Sequence, residues 1–444
     1  MNWNQIISTT RLGQEELTVK NHPHSRTQFQ RDYDRIIFSS PFRRMQNKTQ
    51  VFPLPGSVFV HNRLTHSLEV ASVGRSLGNM FIEKAEKEKM EVENPLFYEI
   101  GSVISAACLA HDMGNPPFGH SGEDAISRFF RKSTDPRLKD LSDAQLKDFT
   151  QFDGNANAFR LLSHQFNGRR DGGFALTYTT LASFVKYPFE STLTTKPKFG
   201  FFQSEKEIFG RIASELGLTK ISGDPDKYVR HPLVFLVEAA DDICYQLMDL
   251  EDAYKLKILT AEKTRSLLMN FFDQETDRKQ IERINETTRL VSDPNEQIAY
   301  LRASVIGRLV AQCVDVFYEK QDDIFSGRFQ MPLIDHVSSV SKAAMKEIKT
   351  ISIKDIYNDR AVVEIEISGY QIIGTLLEVL IDAVLNPDEN ISKKMRQLIP
   401  DQYLGPKETT YEKVQSVVDF VSGMTDLYAL DLYRKIKGIN IPGI

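Results

Sequence analysis

The sequence predicts a mostly α-helical fold, a bundle of helices with one or two small β-hairpins at most. Apolar residues recur at spacings of three and four along most of the 444-residue chain. Only residues 360–368 alternate β-branched and polar side chains for long enough to predict a short strand. No fixed-period repeat or low-complexity tract interrupts this pattern.

The first 60 residues are polar, then basic, and rich in turns. Residues 39–46 predict a capped short helix with a proline in its first turn. Residues 51–60 predict extended segments around a turn, as in a small hairpin. Helical patterns follow over residues 65–80, 97–110 and 118–131.

Residues 132–150 are charged and predict a solvated excursion from the core. Residues 176–185 fit either a helix or an extended segment, and residues 188–200 predict a polar loop. The remaining helical patterns cover residues 155–164, 231–249, 260–285, 297–319, 369–386 and 411–437.

Composition excludes several classes of protein. The net charge of -5 and a pI near 6.1 leave no global basic field for nucleic acid, although residues 26–48 form a local basic segment. The three cysteines are scattered in apolar surroundings, which predicts reduced core residues and no disulfide framework. With no basic leader and no apolar run of roughly 20 residues, we expect a cytoplasmic protein without a membrane span.

Candidate metal ligands stand at three helix positions. His111 and Asp112 end an apolar helix, where a charged pair is costly unless something satisfies it. His66 begins another helix, and Asp241 lies in the apolar segment 233–247. Four nitrogen and oxygen donors without a thiolate suit Mg²⁺ or Mn²⁺. Taken singly, each histidine also fits a hydrogen-bonded core or surface residue. A solvated helix face fits at most one of Asp241 and Asp242, because adjacent helical residues point roughly 100° apart and apolar residues fill one side of this helix.

A second pair of titratable residues follows the double proline 116–117. His120 and Glu123 are three residues apart, so a helix would face them the same way and let the carboxylate hold the imidazole tautomer. This spacing predicts an acid–base pair separate from the metal ligands. Glu123 also fits a carboxylate that simply favours the first turn of a helix.

Further residues fit the binding of an anionic ligand. Arg63 precedes His66 by one helical turn, and its guanidinium suits a phosphate. Lys186 and Tyr187 are weaker phosphate candidates. Tyr245 and Asp249 follow Asp241 at intervals of four, so all three share one helix face that could contact a sugar ring and a hydroxyl. Asp249 also fits an ordinary charge at a helix end.

With these residues in view, the chain resembles the HD-domain phosphohydrolases. It is most similar to the bacterial deoxyguanosinetriphosphate triphosphohydrolases and their dGTPase-like relatives. The similarity is specific because several motifs occur in the same order over residues 25–255. These stretches are Ser40 to Pro53, His61 to Val70, His111 to Glu123, Phe152 to Ala156 and Glu238 to Tyr245. The C-terminal part resembles the family mainly through Gly423-Met424-Thr425-Asp426.

The resemblance implies an HD-domain helical bundle with an additional C-terminal helical region. Residues 1–60 would pack on the active site, residues 61–255 would form the phosphohydrolase core, and residues 256–444 would form a helical region with a short strand pair. The implied metal ligands are His66, His111, Asp112 and Asp241, and the implied catalytic pair is His120 and Glu123. The implied substrate-binding residues are Gln50, Arg63, Asn115, Lys186, Tyr187, Tyr245 and Asp249.

The implied activity is metal-dependent hydrolysis of dGTP, or of other dNTPs, to the deoxynucleoside and inorganic triphosphate, with Mg²⁺ or Mn²⁺. Relatives form oligomers, which implies a homo-oligomer such as a hexamer, and they respond to single-stranded DNA or nucleotide effectors. One alternative is another HD phosphohydrolase, a nucleotidase or phosphodiesterase. A second is a regulatory protein that binds dNTPs or single-stranded DNA, which the basic residues 26–48 would favour.

Overall fold

A computed structural model describes residues 1–16, 26–52, 60–221 and 226–439. Within these residues the chain forms twenty α-helices, and β structure is limited to four isolated antiparallel bridges. The mostly α-helical prediction is therefore confirmed. Most of the hairpin predicted over residues 51–60 lies outside the described residues, but Thr49 and Asn62 on either side form one of the bridges.

The helices follow one another through short connections. The first ten are α1 (Trp3–Ile6), α2 (Gln28–Ile37), α3 (Ser40–Arg44), α4 (Arg63–Lys87), α5 (Ile100–Ala110), α6 (Gly119–Lys132), α7 (Asp143–Thr150), α8 (Gly154–Ser163), α9 (Tyr178–Ser183) and α10 (Lys206–Glu215). The others are α11 (Val234–Lys255), α12 (Ala261–Met269), α13 (Arg278–Arg289), α14 (Pro294–Glu319), α15 (Gln321–Phe325), α16 (Ser339–Ile351), α17 (Arg360–Leu385), α18 (Asn390–Arg396), α19 (Thr410–Ser422) and α20 (Asp426–Ile436).

The strand predicted over residues 360–368 is wrong, because these residues form the first turns of α17. The apolar pattern continues beyond them with a helical period, and its buried members (Ile373, Leu376, Leu377 and Leu380) face the neighbouring helices. A β-branched residue costs only a few tenths of a kcal/mol more than alanine in a helix, roughly up to 0.7 kcal/mol. Burial of the rest of the helix outweighs that local preference.

The fold settles one ambiguity of the sequence and corrects two predictions. Residues 176–185 contain the helix α9, and the pattern over 260–285 divides into α12 and α13. The charged segment 132–150 is not wholly solvated, because α7 buries Asp148 and Phe149. All three cysteines are buried and free, as predicted.

The helices enclose two hydrophobic cores. The larger core contains side chains of α4, α5, α11 and α14 together with the N-terminal segment. The smaller core is formed mainly by α6, α7, α17, α19 and α20. Because α5 belongs to the larger core and α6 to the smaller one, the turn between them carries the chain from one core to the other.

Helix α17 belongs to the smaller core. Among the described helices, it alone is long and apolar enough to span a membrane by length and composition. More than half of its apolar window is buried, and it packs against α6, α19 and α20. These contacts are those of a core helix.

A buried ion pair links α8 to α19. Two nitrogens of Arg160, Nε and Nη2, donate to the two carboxylate oxygens of Asp419, each at 2.8 Å. Its third nitrogen, Nη1, donates to Glu205 at 2.6 Å. Such a bidentate pair fixes orientation as well as distance. It holds the C-terminal helices against the rest of the protein.

Candidate active site

A cavity of about 280 Å³ lies among α4, α5, α11 and the turn before α6. Every site residue predicted from the sequence except Asp249 lines this cavity. Those residues are Gln50, Arg63, His66, His111, Asp112, Asn115, His120, Glu123, Lys186, Tyr187, Asp241 and Tyr245. The structure thus brings together residues that are up to 195 positions apart in sequence.

Three of the predicted metal ligands meet at one point. One ligand atom from each of His66, His111 and Asp241 lies within 4.8 Å of the others. The Oδ1 atom of Asp241 is 3.1 Å from Nε2 of His66 and 3.5 Å from Nε2 of His111. The fourth predicted ligand, Asp112, places its Oδ1 4.0 Å from Nε2 of His111.

The first turn of α4 delivers His66 to this point. Asn62 caps that helix, because its side chain accepts from the backbone N–H of Thr65 while the Thr65 hydroxyl accepts from the N–H of Asn62. The reciprocal cap places the start of α4 one turn before His66. His111 and Asp112 follow directly after α5, and Asp241 lies in the second turn of α11.

The tautomer of the neutral His111 ring leaves its Nε2 as an acceptor that a cation could bind. Its Nδ1 donates to the backbone carbonyl of Cys108 at 2.6 Å, so in the neutral ring Nε2 carries a lone pair. That Nε2 is buried and has no hydrogen-bond partner, and it faces the carboxylate of Asp241. Two such acceptors need a positive charge between them, either a proton or a metal ion. The imidazole and carboxylate donors could hold a divalent metal ion.

The pKa values of the cluster also show that a positive charge is favoured between His111 and Asp241. Burial favours the neutral carboxyl of Asp241, but His111 and His66 outweigh it and hold the pKa of Asp241 well below its usual range. Burial opposes a charge on His111, yet Asp241 and Asp112 raise the pKa of that imidazole to about 9. A cation entering the cluster at neutral pH therefore displaces a proton from His111.

Arg63 lies between the His66–His111–Asp241 cluster and the turn before α6. Its Nη1 donates to Oδ2 of Asp112 at 2.6 Å. Its Nε is buried without a hydrogen-bond partner. Asp112 also accepts from the side-chain amide of Asn115, which connects the arginine to the following turn. The unpartnered N–H group leaves Arg63 a donor for an anionic ligand.

The turn between His111 and His120 has an unusual backbone. Phe118 has φ of 64° and Gly119 has φ of 58°, both in the left-handed region. A Cβ on Gly119 would lie 2.9 Å from Nη2 of Arg63, so glycine allows the arginine to approach the backbone. These two residues set the direction in which His120 leaves the turn.

His120 and Glu123 form the pair that their spacing predicts. The ring Nδ1 of His120 is 2.8 Å from Oε2 of Glu123, and the other carboxylate oxygen accepts from the backbone N–H of Gly154 at 2.6 Å. The side chain of His120 is 75% exposed, so its Nε2 side is open to a ligand. The hydrogen bond to Glu123, together with its negative charge, raises the pKa of His120.

Two lysine side chains also line the cavity. Nζ of Lys186 is 2.9 Å from Glu238, which also accepts from Arg230. Lys198 lines the cavity as well, with its Nζ 3.5 Å from Asp153. Sequence reasoning missed Lys198 because it lies in a polar loop with no recognisable motif around it.

Asp249 lies behind the cavity wall. It is only 3% exposed and accepts from the hydroxyl of Tyr357 at 2.7 Å. Burial raises the pKa of its carboxyl to about 7. The ring of Tyr357 lies 6.3 Å from that of Tyr245, which does line the cavity. Tyr357 was not predicted, since no local pattern links it to a segment more than 100 residues away.

The charges of the cavity wall do not favour an anion by themselves. The wall carries three lysine or arginine side chains and four carboxylates, and a protonated His111 brings the sum of these charges to zero. Such a wall gives a polyphosphate ligand little net attraction. A divalent cation at the His/Asp cluster would make the local charge positive.

We predict that Asp241→Asn lowers Mn²⁺ affinity by at least about 100-fold, because it removes the charged oxygen between the two imidazoles. The matched control is Asp242→Asn, which alters the neighbouring carboxylate on α11, outside the cavity wall. Calorimetric titration of the metal-free protein with Mn²⁺ measures both. Unchanged affinity in Asp241→Asn, or an equal loss in the two variants, would contradict the assignment.

Comparison with known proteins identifies the family of this chain. The family described as phosphohydrolase-associated domain matches residues 336–435, from before α16 to α20. Deoxyguanosinetriphosphate triphosphohydrolase-like proteins of Synechocystis and Pseudomonas aeruginosa are 39% and 36% identical over 99% and 100% of this chain and 100% of their own length. A deoxyguanosinetriphosphate triphosphohydrolase of Yersinia pseudotuberculosis is 28% identical over 92% of this chain and 93% of its own. The chain therefore belongs to the deoxyguanosinetriphosphate triphosphohydrolase-like family of phosphohydrolases.

Proposed function

We propose that this protein hydrolyses dGTP, and other dNTPs to a lesser degree, to the deoxynucleoside and inorganic triphosphate. The observation that carries the proposal is the meeting of two separate groups in one cavity. The His66–His111–Asp241 cluster and the His120–Glu123 pair both line it, with Arg63 between them. A phosphate ester placed there would contact a cation site and a proton donor at once.

The proposed cofactor is Mg²⁺ or Mn²⁺, held by His66, His111, Asp112 and Asp241. When bound, it would polarise an oxygen of the α-phosphate and lower the pKa of a water molecule. The carboxylate of Asp112 is already shared with Arg63 and Asn115. We propose that the interaction orienting this ligand also directs Arg63 toward the phosphate.

We assign His120 the role of general acid. Attack of water on the α-phosphorus breaks the bond to the 5′ oxygen, a poor leaving group that needs a proton. The raised pKa of His120 keeps the imidazole protonated at higher pH than an ordinary histidine. General acid catalysis of this kind contributes about 10²- to 10⁴-fold to the rate. Glu123 orients the ring and stabilises its charge.

The remaining residues of the cavity would bind the rest of the nucleotide. Arg63, Lys186, Tyr187 and Lys198 are proposed phosphate contacts. The side-chain oxygen of Gln50 is buried without a partner, which suits acceptance of a hydrogen bond from a sugar hydroxyl. We place the deoxyribose against Tyr245, with Tyr357 and Asp249 behind it.

The nucleotide substrate is the partner that the site supports directly. A homo-oligomer, a nucleotide or single-stranded DNA effector, and a cytoplasmic location stay predictions based on the resemblance. The choice of guanine over other bases also stays a prediction.

Product analysis tests the proposed reaction. The protein is incubated with each of the four dNTPs, with Mg²⁺, with Mn²⁺ and with a chelator, and the products are separated by ion exchange. We expect equal amounts of deoxynucleoside and intact triphosphate, fastest with dGTP, and none with the chelator. Release of a monophosphate with pyrophosphate, or hydrolysis of nucleoside monophosphates or cyclic nucleotides alone, would support another phosphohydrolase activity.

We predict that Glu123→Gln moves the alkaline limb of the kcat profile to lower pH. A general acid works below its pKa, so kcat falls as pH rises through that value. Glutamine removes the charge that raises the pKa of His120, and the fall then begins at lower pH. Asp124→Asn is the matched control, since this α6 carboxylate bonds Arg131 and Tyr370 outside the cavity. An active Glu123→Gln variant with an unmoved limb would refute the acid role.

We predict that Tyr245→Ala lowers the discrimination between dGTP and GTP by about 10- to 100-fold, because the ring would occupy the space of a ribose 2′-hydroxyl. Tyr245→Phe keeps the ring and should keep most of the discrimination. The ratio of kcat/KM for the two nucleotides measures this effect. Wild-type discrimination in Tyr245→Ala would show that another residue excludes the hydroxyl.

A further inference from the structure

The sequence motif Gly423-Met424-Thr425-Asp426 lies at the start of α20, outside the cavity wall, yet its aspartate bonds to two segments that enter the cavity. We propose that Asp426 is a positioning residue. It holds the turn between His111 and His120, here called the catalytic turn, and the Thr49–Gln50 segment in their active arrangement. The effect that we expect Asp426 to have on catalysis rests on the proposed function. The hydrogen bonds of Asp426 are independent of the proposed function.

Asp426 divides its two carboxylate oxygens between two parts of the chain. Oδ2 accepts from the backbone N–H and the hydroxyl of Thr49, at 2.9 Å and 2.5 Å. Oδ1 accepts from the backbone N–H of Phe118 at 3.0 Å. The side chain is buried, with 7% exposure, so these bonds are screened little by water. One side chain of the C-terminal helices thereby joins two loops that are 69 residues apart.

The turn needs such a contact because its backbone is strained. Phe118 has φ of 64°, a left-handed conformation that a bulky residue keeps only where its surroundings hold it. Its N–H group stands at the start of α6, where no side chain of that helix caps the backbone. Asp426 supplies the missing acceptor. His120 lies only two residues after Phe118, so the direction of its side chain depends on this backbone.

The second segment held by Asp426 also reaches the cavity. Gln50, which directly follows Thr49, has a buried side-chain oxygen without a partner and lines the cavity wall. A parallel connection lies beside it. The buried Nζ of Lys48 donates to the carbonyls of Asn115 at 2.5 Å and Ser422 at 2.8 Å. Both connections run between the C-terminal helices and the same two segments.

The ion pair between Arg160 and Asp419 offers a control that distinguishes a positioning effect from a general loss of stability. It joins the same C-terminal helices to α8, but Asp419 has no hydrogen bond to either segment that Asp426 holds. Loss of either carboxylate should destabilise the protein, because each leaves buried donors unsatisfied. Only loss of Asp426 should disturb the catalytic turn.

The test compares Asp426→Asn with Asp419→Asn in the full-length protein. The amide replaces one oxygen by an NH₂ group that faces a backbone donor, so one of the two segments is released. We expect kcat for dGTP to fall about 10- to 100-fold in Asp426→Asn, with KM within about 3-fold, because a small misplacement costs rate rather than binding. Mn²⁺ affinity should stay near that of the wild type. Asp419→Asn should lower the melting temperature and leave kcat within about 2-fold below that temperature.

Amide hydrogen exchange gives a readout that needs no activity. Peptides covering residues 114–122 should exchange faster in Asp426→Asn and at the wild-type rate in Asp419→Asn. If Asp426→Asn does not fold, Asp426→Glu displaces the carboxylate by one methylene and serves in the same comparison.

Three outcomes would overturn the proposal. These are unchanged exchange at the turn, a kcat of Asp426→Asn within 2-fold of wild type, or an equal loss of kcat in both variants. If the wild type hydrolyses no dNTP, the proposed function fails and the exchange result alone decides the role of Asp426.

Discussion

The arrangement of the site depends on one buried electrostatic conflict. In the neutral ring, the bond from His111 to the Cys108 carbonyl leaves the other ring nitrogen with a lone pair directed at the carboxylate of Asp241, beside the ring of His66. A positive charge between these groups relieves the repulsion, and either a proton on His111 or a metal ion supplies it. The helices α4, α5 and α11 bring these side chains together from distant parts of the chain. The need for a positive charge at this point is therefore a consequence of how these three helices pack.

The turn from α5 to α6 connects that site to the groups that handle protons. It leaves the larger core after Met113 and enters the smaller core at α6, which carries His120 and Glu123. The two halves of the proposed chemistry therefore belong to different cores. Their relative position depends on the strained backbone at Phe118 and on the C-terminal helices that contact it. The proposal for Asp426 assigns those helices a role at the site as well as in stability.

The sequence predicted most of the cavity wall because its signals are local. His120 and Glu123 are one helical turn apart, and His111 and Asp112 end an apolar run, so spacing alone identified them. Tyr357, Lys198 and Asp426 act through contacts between distant elements, which no local spacing encodes. The same limit explains the strand wrongly predicted at residues 360–368, since the burial of α17 against its neighbours overrides the local β-branched pattern.

We propose above all that this site directs water to the α-phosphorus of a dNTP and protonates the 5′ oxygen of the nucleoside. Turnover of dGTP in H₂¹⁸O, followed by mass spectrometry of both products, tests it most directly. One ¹⁸O atom should appear in the inorganic triphosphate and none in deoxyguanosine. Label in deoxyguanosine, or in a deoxynucleoside monophosphate released with pyrophosphate, would contradict the claim.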